Sequence, residues 1–225
     1  MLVSYFITDK GFPSLQQINS NTNSSSFIQR LVQNSPLWVL LLVTGVLAYL
    51  GDPARELFRY HVEMQNNGEW WRLWTANLVH TNVFHWLLNS TGLILIWWIF
   101  HGQLKPLSWS LLLFILAPAH LALLYWLAPE LRWYVGLSGL LHGWLATAAI
   151  FDVRGDFWVG YLLLAGLIAK VSWEMIYGAS AQVTELIHAH VATEAHLAGV
   201  IVGILLGLLW PNVKCMHCDG SEHSH

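Results

Sequence analysis

Charge is scarce in this chain. Of its 225 residues only 10% are Asp, Glu, Lys or Arg, and the formal net charge is −3. So few ions fall short of what covers a water-soluble domain of this size, and without a basic excess there is no reason to expect nucleic acid as a partner. Cysteine is nearly missing too. The two present, Cys215 and Cys218, stand together in a polar C-terminal stretch and cannot staple a distant core. The design of a cleaved leader is also lacking, because residues 1–7 carry no basic group and run into an Asn/Ser/Gln-rich stretch over 14–26. That stretch reads as part of a flexible tail covering 1–34.

What fills the chain instead is apolar. It is 56% hydrophobic with a mean hydropathy of +0.50, and it holds 14 tryptophans, a residue that favours the boundary between lipid and water. The expectation is an all-α polytopic membrane protein lying in a lipid bilayer. Six apolar segments, 35–51, 81–100, 107–128, 138–151, 157–177 and 192–210, are long enough with their flanks to approach the ~20 residues of a span. The domain organisation that follows is a tail over 1–34, a six-helix domain over 35–210 and a polar tail over 211–225. Ser35-Pro36 is a natural helix start for the first segment, whereas the fourth begins at Ser138 and is short for a full crossing. A helix that begins below the surface leaves amide groups facing a cavity, an arrangement tolerated only where that backbone is buried in protein or lines water. It marks a functional site.

The longest connection, 52–79, is no plain polar loop. Arg55-Glu56-Leu57-Phe58-Arg59-Tyr60 mixes charges with large apolar groups, and Glu69-Trp70-Trp71-Arg72-Leu73-Trp74 sets three indoles around one guanidinium, so both pieces look interfacial. Orientation is not readable from charge. Lys10, Arg30, Lys105, Arg154 and Lys214 fall on one side and Arg55, Arg59, Arg72 and Arg132 on the other, with Lys170 inside a span.

Several polar residues stand at membrane depth, where they are costly and should face the protein interior. Ser138 lies in Gly136-Leu137-Ser138-Gly139, and His196 sits alone in Ala195-His196-Leu197-Ala198-Gly199. A serine hydroxyl needs an adjacent base, so the pair suggests a nucleophile and its base within a bilayer. His85 and Asn89 are four apart and share a helix face; if they converge on Ser138, the imidazole N–H and the amide NH₂ could hold an oxyanion, aided by backbone N–H groups at the start of the fourth segment. Gly199, Gly203 and Gly207 repeat every four residues, answered by Gly139 and Gly143, the small-residue faces that let two helices approach closely. His142, four residues after Ser138, is a rival base. If His196 holds that role, His142 is a supporting hydrogen-bonding group or a packed polar residue, and His80 could help retain water near the site or be a plain interfacial histidine.

Taken together, Trp71-Arg72, His85-x-x-x-Asn89, Gly136-x-Ser138-Gly139 and Ala195-His196-x-x-Gly199, in that order on a six-span background, resemble a rhomboid intramembrane serine protease. The wording of 136–143, Gly-Leu-Ser-Gly-Leu-Leu-His-Gly, is most similar to the rhombosortase branch. The resemblance implies a six-transmembrane-helix rhomboid-like bundle in a bacterial inner membrane. It implies that Ser138 is the nucleophile, His196 the base, and His85, Asn89 and the Ser138 amide the oxyanion donors. It implies a dyad with no carboxylate orienting His196, and Glu194, two positions away, is expected to point elsewhere. The substrates implied are membrane-anchored proteins, in particular those with a C-terminal Gly-Gly sorting tail, admitted by an outward swing of the fifth span. No cofactor is implied.

Three further readings accompany this one. Lys170 and Glu174, four apart, are expected to neutralise each other near the membrane edge. Cys215-Met216-His217-Cys218, with His223 and His225 beyond, has metal-ligand spacing but lacks a second pair. From other functional classes, the histidines His80, His85, His120, His142 and His196 could ligate haem, or the chain could be an inactive rhomboid-like protein that binds helices.

Overall fold

The computed structural model of the chain describes residues 28–211. Cys215, Cys218 and the remaining C-terminal histidines lie outside the described residues, as do residues 1–27. Within the stretch expected to be a flexible tail through residue 34, residues 28–33 are helical.

Each of the six apolar segments forms a helix, and the connections add short ones. In chain order these are α1 (Ser35–Leu50), α2 (Asp52–Phe58), α3 (Arg72–Thr75), α4 (Val83–Phe100), α5 (Pro106–Leu127), α6 (Ser138–Arg154), α7 (Trp158–Tyr177), α8 (Ala181–Ile187) and α9 (Thr193–Leu209), with two-residue strands β1 (Tyr60–His61) and β2 (Trp133–Tyr134). Proline in the first turn starts α1, α2 and α5, where a missing N–H costs nothing. Asn82 caps α4 through its side chain, which accepts from the His85 backbone N–H at 2.8 Å. The chain turns by 116° between α1 and α2 at Gly51, whose φ of 63° suits glycine.

Of the six spans expected, only some are supported. By length and apolarity three helical segments can cross a bilayer, Val83–Gln103, Pro106–Leu127 and Trp158–Tyr177, and a fourth if the bent α1–α2 pair counts as one. The helices carrying Ser138 and His196 have 17 residues each, short of the ~20 a span requires. They are interior helices. α6 buries most of its length, and its Trp144 and Phe151 form an aromatic core with Trp97 and Trp109. Outward-facing indoles such as Trp98, Trp126, Trp158 and Trp173 are exposed.

The 52–79 connection is a folded unit fastened by one guanidinium. Arg72, 6% exposed, donates to both carboxylate oxygens of Glu69 (3.0 and 3.2 Å) and to the carbonyls of Glu56 and Arg59 (3.1 and 2.8 Å). The Arg72 hydrogen bond holds the Glu69 carboxyl below its ordinary range. Trp70 and Trp71 stay exposed beside it, as an interfacial segment would have them. β1 pairs antiparallel with β2, Tyr60 opposite Tyr134 and His61 opposite Trp133, which hooks this unit to the chain just before Ser138.

Candidate active site

Ser138 is the first residue of α6, and the turn before it is braced from three directions. The Gly136 N–H donates to the Ala76 carbonyl (3.0 Å), Tyr134 donates its hydroxyl proton to the Gly136 carbonyl (2.8 Å), and the Gly139 N–H donates back to that hydroxyl (3.3 Å). Gly136 has φ 119°, and a Cβ there would lie 2.7 Å from the His85 ring. Only glycine fits both the conformation and the space.

Glycine also sets the distance between α6 and α9. A Cβ on Gly199 would run into the Gly139 carbonyl oxygen, one on Gly203 into that of Gly143, and one on Gly143 would lie 2.8 Å from the Gly199 carbonyl oxygen. Gly207 would meet Ile150, and Thr147 adds a hydrogen bond to the Gly203 carbonyl at 2.9 Å. Near backbone contact follows, and it brings His196 Nε2 to 3.1 Å from Ser138 Oγ. His196 is 5% exposed.

The other nitrogen of His196 is not free. Nδ1 lies 2.9 Å from Glu174 Oε2 on α7, so the expectation that no carboxylate stands beside the histidine is overturned. Lys170 does pair with Glu174, Nζ to Oε1 at 2.7 Å, yet the same carboxylate reaches the site histidine. A carboxylate can only accept, so Nδ1 carries the proton and Nε2 presents its lone pair to the serine hydroxyl. Glu194 is not the partner.

His142 is turned away from the serine hydroxyl. Its Nδ1–H donates to the Ser138 carbonyl at 2.7 Å, and its Nε2 accepts from Lys170 at 2.9 Å. The ring lies flat on His196, centroids 4.0 Å apart and planes 11° apart. His142, Glu174 and His196 bring ligand atoms within 4.8 Å of one another, and the cation among them is the Lys170 ammonium.

On the opposite side of Ser138, α4 supplies His85 and Asn89. His85 Nδ1 lies 3.1 Å from Thr81 Oγ1, whose hydroxyl donates to the Ile187 carbonyl (2.8 Å), and 3.4 Å from the Thr81 N–H, while its Nε2 is directed toward Gly136. Asn89 Nδ2 is buried and meets no acceptor among the described residues. It lies 3.6 Å from the position a Gly136 Cβ would take. The Asn89 amide and the His85 Nε2 edge therefore converge beside Ser138, and the amide has no partner among the described residues. His80 is buried, edge-on to His85 at 5.0 Å, with neither ring nitrogen bonded among the described residues. A 230 Å³ cavity opens over the serine, lined by His85, Tyr134, Ser138, Ile187, His190 and Val191 among others. Such spacings give no support to a haem reading, since stacked rings at 4.0 Å and edge-on rings at 5.0 Å leave no gap for a macrocycle.

Sequence reasoning missed Glu174. The signal was present: Lys170 and Glu174 are the only Lys, Arg, Asp or Glu in α7, and ionisable groups in a membrane helix point to a functional site.

The Rhomboid domain family model matches residues 67–212, a stretch that contains every residue of the cluster just described. No curated protein matches the chain.

Proposed function

The chain belongs to the rhomboid family, whose members are intramembrane serine proteases, and on that premise we propose that it is a serine endopeptidase cutting membrane-anchored proteins within the bilayer. The apolar helices make it a multi-pass integral membrane protein. The observation that carries the proposal is the 3.1 Å approach of His196 Nε2 to Ser138 Oγ beside the unpartnered Asn89 amide.

In this reading Ser138 Oγ attacks the scissile carbonyl while His196 Nε2 takes the hydroxyl proton. The carbonyl oxygen becomes an oxyanion and accepts from His85 Nε2–H, Asn89 Nδ2–H and the Ser138 backbone N–H. The intermediate collapses as His196 returns the proton to the leaving amine, which departs with the C-terminal fragment. An acyl ester on Ser138 remains. Water then attacks that ester with His196 again taking the proton, and Ser138 is released. The two donors beside Gly136 suit this work because they are fixed by packing and do not have to break another bond first.

The preferred substrates are C-terminal sorting tails with a Gly-Gly motif and one membrane helix, and the setting is a bacterial inner membrane, as in the rhombosortase branch. The similarity of residues 136–143 supports that finer assignment. Small flexible residues also suit the chemistry, since an intact helix hides its carbonyls from Ser138.

A fluorescent fluorophosphonate tests the assignment. Native protein in detergent should be labelled, and Ser138→Ala and His196→Ala should each lose labelling by on the order of 10⁴-fold. A folded native protein that fails to label would move the inactive, helix-binding reading ahead.

A further inference from the structure

We propose that Glu174 is a positioning residue for His196, held in place by Lys170 and His142, so that the base is aligned only while α7 is seated against α6 and α9. The proposal rests on the Ser138–His196 reading above.

A neutral imidazole has two tautomers, and only the one with a bare Nε2 can accept the serine proton. Glu174 Oε2, 2.9 Å from Nδ1, selects that tautomer and stops the ring from turning. It also faces the positive imidazolium formed when the proton moves. The carboxylate is itself fixed, because Oε1 takes a hydrogen bond from Lys170 at 2.7 Å. Lys170 gives a second to His142 Nε2 at 2.9 Å, and His142 Nδ1–H reaches the Ser138 carbonyl at 2.7 Å. The chain of bonds thus leaves Ser138 by its hydroxyl and returns to it by its carbonyl. A simple Lys–Glu pair at the membrane edge would require neither histidine.

The circuit spans three helices that are held unequally. Ser138 and His142 on α6 and His196 on α9 are fixed by glycine backbone contact, whereas α7 buries only Gly160, Leu167 and Val171. A 550 Å³ crevice lined by Lys170, Trp173, Glu174, Val183, Val191 and His196 opens where α7 leaves the bundle. Outward movement of α7 carries Glu174 away from Nδ1 and leaves the serine and histidine in contact. Admission of a substrate past α7 and alignment of the base are therefore linked: the bond to His196 re-forms when the helix closes.

The test uses the full chain in detergent and separates the saturating rate of fluorophosphonate labelling from the half-saturating probe concentration. Glu174→Gln should lower the saturating rate by roughly 10²–10⁴-fold with the half-saturating concentration unchanged. Glu174→Asp, which keeps the charge on a shorter stem, should recover at least about tenfold of that loss. Lys170→Met should slow labelling about tenfold in the native background and add nothing to Glu174→Gln, because both act through one carboxylate. Labelling of Glu174→Gln within about threefold of native would overturn the proposal while leaving the Ser138 reading intact. So would loss of thermal stability in Glu174→Gln and Glu174→Asp alike with no recovery by the aspartate, since that pattern is structural. A folded native chain that does not label at all would remove both readings, whereas labelling lost in Ser138→Ala and His196→Ala but native in Glu174→Gln would remove this one alone.

Discussion

Two helix contacts meet at Ser138, and they are made of opposite materials. The α6–α9 contact is backbone against backbone, with Gly139, Gly143, Gly199 and Gly203 leaving no room for even a methyl group. The contact of α7 with the same pair rests on a few buried side chains and a polar bridge, and most of α7 faces outward. Backbone contact has no rotamers to lose, so it fixes the serine-to-histidine distance at little cost in side-chain entropy. A side-chain bridge can open and close. On the proposed reading, the reacting pair is thus held rigidly and the orienting carboxylate sits on the less firmly packed helix.

The comparison can be broken most severely at Gly199. Alanine there would drive its Cβ into the Gly139 carbonyl oxygen, and since that atom is backbone, the helices have to separate. Overpacking of this kind costs about 3 kcal/mol or more. His196 lies one turn from the contact, so its 3.1 Å reach to Ser138 lengthens as well. Gly199→Ala should lower the thermal midpoint and reduce fluorophosphonate labelling by more than about 100-fold. Native values for both would show that the glycine contact does not set the site.

A smaller effect probes the rigid half without moving its backbone. Asn89 Nδ2 donates to nothing among the described residues, so replacing it breaks no bond in the resting protein. Asn89→Ala should therefore leave the midpoint at or above native while lowering kcat on a cleaved peptide by roughly 10²–10³-fold, the loss expected for one oxyanion donor. His85→Ala should match it in kcat but also loosen the turn at Thr81 and Gly136. A fall in stability with kcat unchanged for Asn89→Ala would make the amide a packing group.

The same contrast separates what the sequence made legible from what it did not. Ser138 and His196 stood out because each is polar within an apolar run, and the glycine repeat announced a close contact from spacing alone. Helix boundaries followed from apolar runs, proline and caps. Glu174 was hidden because its bond to His196 joins residues far apart in sequence, while its i,i+4 spacing to Lys170 offered a sufficient local partner. His142 was visible as a neighbour of Ser138, but only the fold decides that it bonds the carbonyl rather than the hydroxyl. The span count is supported only in part for a related reason. Apolar runs were counted with their flanks, whereas α6 and α9 stop at 17 residues and gain their burial from one another.

The gentlest change bears on α7 itself. Gly166 lies inside that helix, and a Cβ built there meets nothing within 4 Å, the reverse of Gly199. Alanine should fit without strain and stabilise the helix by up to about 1 kcal/mol through reduced backbone freedom. If α7 moves as a rigid rod about its ends, Gly166→Ala should raise the thermal midpoint slightly and leave labelling and cleavage as they are. If it bends at Gly166 to admit a substrate, the stiffer helix should cleave a membrane-anchored protein more slowly while labelling by a small fluorophosphonate stays native. Measuring both rates on one preparation locates the hinge, because the small probe reports the alignment of Ser138, His196 and Glu174, and the large substrate adds the passage past α7.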